Sequence, residues 1–181
     1  SSQQIVGLAS ARSGNAIGGG DWGKDRLLPD CIRAWLDGKT VQIRYPEYIR
    51  PWQHVLEPLS GYLLLAEKLY ENDSEFSGAW NFGPEEENIQ PVKRILEQLS
   101  SYWEGQVSWE IEEHDHPREP YCVRLDCSKA KIKLGWSSRW NLPTTLKKLV
   151  EWYQTYQTNS HQLREKTLEQ IHEYMTPSKE L

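Results

Sequence analysis

Apolar residues change their period several times along the chain. In "VKRILEQLSSYW", Val92, Ile95, Leu96 and Leu99 fall at i, i+3, i+4 and i+7, a single stripe of a helix. "LPTTLKKLVEWYQTYQ" repeats that spacing with Leu146, Leu149, Val150 and Tyr153, behind an N-cap-and-Pro start signal. "LLPDCIRAWLDG" predicts a helix with Pro29 near its first turn and Gly38 at its stop, and "EPLSGYLLLAEKLYEN" a longer amphipathic one. "SKAKIKLGW" reads as a short helix capped by Ser128 and closed by Gly135, and "SHQLREKTLEQIHEYM" as a polar final helix. Short β-type runs separate these segments. Ile5, Val6 and Leu8 suit a strand buried on both faces of a parallel sheet, and "TVQIRY", "WQHVL", "GAWNFGP" and "QVSWEI" are the others.

Strands alternating with helices predict an α/β protein. A doubly wound sheet normally opens with its nucleotide-binding βαβ unit. Here only about five short strands are spread over 181 residues, and the first stands at the very start, so the chain reads as entering in the middle of a sheet.

Composition narrows the field. A hydrophobic fraction of 38% and nine Trp favour a folded globular chain. The net charge of −5, with Lys and Arg scattered among the acids, supplies no basic stripe for a nucleic-acid duplex. The longest apolar stretch is interrupted by Glu67 and Lys68 and is too short to cross a bilayer, so neither a membrane nor a nucleic acid is an expected partner. Cys31, Cys122 and Cys127 form no C-x-x-C, and with no signal-peptide pattern they suit a cytoplasmic setting.

"GGGDWG" (Gly18 to Gly23) is a literal G-x-G-x-x-G and raises the possibility of a dinucleotide cradle. Three features oppose it. Ala11 to Ala16 separate the strand from the glycines, Asp21 puts a carboxylate where pyrophosphate would lie, and the next helix starts late, near Leu28. A loop on the substrate side is the expectation instead.

"SARSGNAIGGGDWGKDRLLPDCIRAW", "IRPWQHVLEPLSGYLLLAEKLYE", "WNFGP" and "RLDCSKAKIKLGW" together resemble the C-terminal half of the CDP-glucose 4,6-dehydratases. These form a family within the extended short-chain dehydrogenase/reductase superfamily. The resemblance covers roughly residues 5 to 153, with Arg12, Asn15 and Gly18 in an R-x-x-N-x-x-G pattern and Arg50, Trp52 and Val55 before the long helix. It implies the last strands of a Rossmann-type parallel sheet plus a smaller substrate-binding domain. The expected division is 1–14 and 50–84 for the first, 15–49 and 85–157 for the second, and 158–181 for a C-terminal helix. It further implies conversion of CDP-glucose to CDP-4-keto-6-deoxyglucose, a lyase reaction with NAD as bound cofactor, in a whole enzyme that is a homo-oligomer. Neither the family's G-x-x-G-x-x-G loop nor its Y-x-x-x-K pair occurs here, so the chain is expected to be a fragment, inactive alone and without retained NAD. Two alternatives stay open. One is a non-catalytic nucleotide-sugar binding module; the other is a related dTDP-glucose 4,6-dehydratase or UDP-sugar 4-epimerase.

The resemblance assigns candidate residues. Arg12 and Ser13 fall where the family lines the nicotinamide pocket, or are ordinary loop residues. Arg50 is the first candidate for the diphosphate, because a guanidinium matches its oxygens; the alternative is a surface arginine stacked on Trp52. Asn15 donates to the diphosphate or merely forms a turn beside Gly14. Asp25, Arg26 and Leu27 align with residues that cover the nucleotide, with Asp25 equally readable as an exposed helix entry. Arg118, Glu119 and Tyr121 fall where the family reads base and ribose, and a Glu119 carboxylate suits the N4 amino group of cytosine. His114 and His116 have a metal-like spacing without further ligands, so no metal is expected. His54 is expected to be a buried, hydrogen-bonded histidine behind the site.

Overall fold

The computed structural model describes residues 6–71, 75–112 and 119–176. Among the described residues seven short strands and six α-helices follow in order: β1 (Ala9–Ser13), β2 (Asn15–Ile17), α1 (Leu27–Leu36), β3 (Val41–Ile43), β4 (Ile49–His54), α2 (Leu56–Glu71), β5 (Gly78–Phe82), β6 (Ile89–Pro91), α3 (Val92–Tyr102), β7 (Trp109–Ile111), α4 (Ser128–Leu134), α5 (Leu142–Thr158) and α6 (Leu163–Met175). The strands form three small sheets. β1 pairs with β5, and β3 with β7, both parallel; β4 is central in the third, parallel to β2 and antiparallel to β6.

Two cores hold these layers. The larger collects Ile17, Leu28, Ile32, Trp35, Ile43 and Trp52 with the helical stripes Val92–Ile95–Leu96–Leu99 and Leu146–Leu149–Val150–Tyr153. Each fully buried Leu or Ile there contributes about 1.5–3 kcal/mol by leaving water. The smaller core packs Leu65, Phe76, Trp80 and Phe82 against Cys127, Ala130, Leu134 and Trp136, so α4 lies on β5 and α2. Gly61 makes that approach possible: a Cβ on it would stand 2.2 Å from the Phe82 ring.

Several local expectations are corrected. The first strand starts at Ala9, and Val6 and Leu8 are 81% and 78% exposed rather than buried, while Ile5 lies outside the described residues; among the described residues β1 pairs with β5 alone, and Ser10 to Ser13 are exposed. Two strands unforeseen in the sequence, β2 and β6, are only three residues each and depend on pairing with β4. The N-cap position of α4 is Cys127, which makes no side-chain cap bond; Asp126, one residue earlier, accepts the Ser128 amide through Oδ1 at 2.9 Å, and Ser128 itself is the first helical residue. Gly135 closes that helix with φ +64°, as expected of a left-handed C-terminal position, and Asn141 caps α5 by accepting the Thr144 amide at 3.0 Å.

The final helix is docked through a buried carboxylate. Glu57, in the first turn of α2, accepts from the amides of Arg139 and Trp140 and from the Tyr174 hydroxyl at 2.9, 2.8 and 2.7 Å. Burial pushes its pKa up, against the pull of those donors. Gln170 adds a bond to the Lys148 carbonyl, joining α6 to α5.

Candidate functional site

A cleft of about 760 Å³ opens between β2, the start of α1, β3 and β4. β4 sets its floor. Arg50 projects from this strand beside buried Trp52, whose Nε1 donates to the Gln90 carbonyl at 3.2 Å. Gly14 lets β2 approach that strand, because a Cβ there would stand 2.6 Å from the Pro51 carbonyl oxygen. Asn15 then sits opposite Trp52 in the parallel register, as a strand residue rather than a turn former.

Seven of the ten expected residues line this cleft: Ser13, Asn15, Asp25, Arg26, Leu27, Arg50 and Glu119. Asp25 holds φ +59°, a left-handed conformation that Asp tolerates better than most residues. Arg12 is exposed on β1 outside the cleft, and Tyr121 stands outside the lining but meets Tyr48 edge-on, with ring centroids 5.6 Å apart. Arg118, His114 and His116 lie outside the described residues.

The guanidinium of Arg50 is not stacked on Trp52. It lies over the Tyr48 ring at 5.3 Å, and its Nη1 donates to the carbonyls of Ile49 and Pro120 at 2.9 Å and of Tyr121 at 3.4 Å. Its Nη2 donates to Glu119 at 2.8 Å. The segment bearing Glu119 is laid along β4 by main-chain bonds, Ile49 amide to Tyr121 carbonyl at 2.9 Å and Val123 amide to Ile49 carbonyl at 3.1 Å. Arg50 therefore joins the strand to the segment that walls the cleft.

Side chains that the motifs did not single out complete the lining. Arg44 reaches Glu112 at 3.4 Å, and Tyr45 stacks on Tyr48 at 4.3 Å with an interplanar angle of 11°. Alternation of Arg and Tyr in "IRYPEYIRP" is their only sequence signal. Asp21 also lines the cleft, paired with Arg26 at 2.9 Å and accepting the Gly23 amide at 2.9 Å. Among the described residues no group of three or more His, Cys, Asp or Glu is arranged to hold a metal ion.

The glycine-rich loop is a packing device. A Cβ on Gly19 would stand 2.0 Å from Cγ of Trp152, and one on Gly18 would stand 2.7 Å from Val55. The main chain at Asp21 accepts the Tyr153 hydroxyl at 2.7 Å. These residues press on α5 and on the turn into α2, and do not form a pyrophosphate cradle. Behind the loop, His54 is buried, as expected, with Nδ1 accepting the Leu56 amide at 3.3 Å; its Nε2 has no partner among the described residues. Burial, aided by the charge of Lys148, pushes its pKa down to about 4.

All three cysteines are free, Cys31 and Cys127 buried and Cys122 exposed. Among the described residues no helix is long and apolar enough to cross a membrane.

No family model matches the chain. It is 49% identical over 154 residues to the CDP-glucose 4,6-dehydratase of Salmonella typhimurium, an alignment that takes in 85% of this chain and 43% of that enzyme. The likeness seen in the sequence motifs is borne out, and the chain spans less than half the length of the curated relative it matches. Among solved structures it is similar to a UDP-glucose 4-epimerase of Stenotrophomonas maltophila with bound NAD (TM-score 0.68, 19% identity, 85% of this chain and 49% of the other). It is also similar to the dTDP-glucose 4,6-dehydratase of Bacillus anthracis in complex with NAD (TM-score 0.60, 17% identity, 87% and 47%). A UDP-glucose 4-epimerase of Thermotoga maritima with UDP-glucose gives 0.63 at 22% identity, over 82% and 46%. The fold is of the α/β class expected, and these epimerases and this dehydratase share it over about half of their length.

Proposed function

We propose that this chain is the nucleotide-sugar-holding part of a CDP-glucose 4,6-dehydratase, an enzyme that converts CDP-glucose to CDP-4-keto-6-deoxyglucose with bound NAD. The observation that carries the reading is the 49% identity to an enzyme of that name. The cleft supports it, because the residues picked out by the motifs converge there from four separate stretches of chain. The larger core is assigned to the substrate-binding unit and the smaller to the Rossmann-type unit, with the segment around α4 joining the latter. A cytoplasmic homo-oligomer is proposed for the whole enzyme.

Each side chain in the cleft has a chemical task in this reading. Arg50 and Asn15 hold the diphosphate, the first through charge-assisted bonds at a site with little exposure to water. Tyr45 and Tyr48 offer aromatic faces to base or sugar. Asp25, Arg26 and Leu27 cover the nucleotide from the start of α1, and Glu119 with Tyr121 and Arg118 reads ribose and cytosine.

The described residues do not make a complete site for NAD. The loop with the dinucleotide-like spacing is packed on Trp152, and no tyrosine has a lysine four residues on. Only Arg12 and Ser13, at the end of β1, are assigned to the edge of the cofactor, which supplies hydride chemistry when bound. No chemical step is assigned to this chain; its part is recognition and orientation.

Calorimetry with CDP, CDP-glucose and NAD tests the reading. Saturable binding of CDP and CDP-glucose is expected, with none for NAD. Arg50→Lys keeps the charge but loses the planar fork, and about a tenfold or greater weakening of CDP is expected from the loss of a charge-assisted bond. Absence of CDP binding, or equal CDP affinity in the variant, refutes the assignment.

A further inference from the structure

We propose that Glu119 is an internal occupant of the Arg50 anion position, exchanged for a diphosphate oxygen when nucleotide enters the cleft. The inference rests on the nucleotide-sugar reading above and adds a competition built into the protein itself.

The charge pattern of the cleft requires some such exchange. Arg26, Arg44 and Arg50 line it, and each already faces a carboxylate that lines it too: Asp21 at 2.9 Å, Glu112 at 3.4 Å and Glu119 at 2.8 Å. Asp25 and Asp30 add two more acids to the same wall, Asp30 being paired with Arg33. A diphosphate brought into this arrangement meets more carboxylates than guanidiniums, and like charges at close range oppose it. Binding therefore needs at least one arginine to change partners.

Arg50 is the one built for the exchange. Its side chain is only 12% exposed and its Nη1 edge is fixed by three carbonyls, so the group cannot swing away. Its Nη2 is held by Glu119, whose side chain is 55% exposed. One partner is anchored and the other is free to rotate into solvent. Arg26 and Arg44 lack that asymmetry, being 66% and 53% exposed themselves. The Arg50–Glu119 pair keeps a desolvated guanidinium matched while the cleft is unliganded, at the expense of affinity for any anion. Release of Glu119 then frees its carboxylate for a donor on the ligand, such as a hydroxyl or the cytosine amino group.

Inorganic pyrophosphate, which carries no base or sugar, isolates the exchange. Titrations compare the 181-residue chain with Glu119→Gln, Glu119→Asp and Glu112→Gln, with circular dichroism reporting that each is folded. Removing a half-exposed competitor is expected to tighten pyrophosphate about three- to tenfold in Glu119→Gln. Glu119→Asp keeps the charge but shortens the reach, and is expected to tighten in the same direction. Glu112→Gln removes the same charge from the same cleft but releases an arginine that is itself 53% exposed, and is expected to tighten pyrophosphate clearly less than Glu119→Gln does. Unchanged or weaker binding in both Glu119 variants, or equal tightening by Glu112→Gln, overturns the proposal. CDP binding to the unaltered chain reports separately on the underlying reading: if CDP binds and pyrophosphate is indifferent to Glu119, only the exchange fails. If neither ligand binds any of the proteins, both fail.

Discussion

Replacing Gly19 by alanine tests whether the glycine-rich loop exists for packing. A Cβ at this position would stand 2.0, 2.3 and 2.5 Å from Cγ, Cδ2 and Cδ1 of Trp152. Ordinary carbon contacts lie near 3.5–4.0 Å, so the indole must retreat by roughly 1.5 Å. It is not free to do so. Its Nε1 donates to Thr167 Oγ1 at 2.9 Å, and its ring meets Tyr153 edge-on at 5.1 Å and stacks on Tyr156 at 6.4 Å. Gly19 is outside the left-handed region, so alanine brings steric strain without backbone strain. Overpacking costs about 1–3 kcal/mol and the strained hydrogen bond about 1 more, giving a loss of about 2–4 kcal/mol. Urea unfolding measures it. In a Trp152→Ala background the same substitution is expected to cost less than about 0.5 kcal/mol, since the clashing ring is gone. A Gly19→Ala chain as stable as the parent, or an equal cost in both backgrounds, would refute the packing argument and return the loop to consideration as a ligand cradle.

Two further expectations concern buried titratable groups. Glu57→Gln sets an amide NH₂ against donors that now meet a carboxylate, and a loss of about 2–4 kcal/mol is expected by urea unfolding. Its raised pKa means that the folded chain keeps the proton longer than the unfolded chain. Stability contributed by this group therefore falls as pH rises from the ordinary Glu range through the raised value, and the variant should lack that drift. His54 runs the opposite way: with its pKa lowered to about 4, the unfolded chain takes up a proton first as the pH falls below 6.5. Stability is then lost between pH 6.5 and 4, on the order of 3 kcal/mol, and an imidazole NMR titration midpoint near 6.5 for His54 would sink the claim.

Long periodic segments were legible because their burial follows directly from spacing. Every residue of the α3 and α5 stripes lies in the larger core, as does Tyr153, whose hydroxyl then reaches Asp21 across the fold. Of the three-residue strands, β3 and β7 were legible from "TVQIRY" and "QVSWEI", but β2 and β6 were not, since they carry no alternation of their own and exist by pairing with β4. The site divides along the same line. Arg50 and Asn15 were found through motifs that keep their spacing in the chain. Arg44, Tyr45, Tyr48, Asp21 and Glu112 enter the cleft through tertiary placement, which the Arg and Tyr alternation of residues 43–51 and the glycine loop around Asp21 do not by themselves specify. Docking of α6 was invisible for a related reason: it turns on a single carboxylate, Glu57, that reads in the sequence as an ordinary first-turn acid of a helix.

The cleft and the two cores are not independent. The chain passes between the two cores repeatedly, first between β1 and β2, and again between β7 and α4 through the segment that carries Glu119. Ser13 and Gly14 line the cleft at the passage from β1 to β2 and Glu119 at that from β7 to α4, while Arg50 ties the latter to β4. A ligand that draws Arg50 Nη2 away from Glu119 thus acts on a connection between the cores, with the three carbonyl bonds of Nη1 left in place to hold it. Binding energy spent there orders the wall of the cleft rather than moving the cores apart, because the main-chain bonds between Ile49 and residues 121 and 123 do not depend on the side-chain pair. The fold thereby separates what must stay rigid, the guanidinium, from what must yield, the carboxylate.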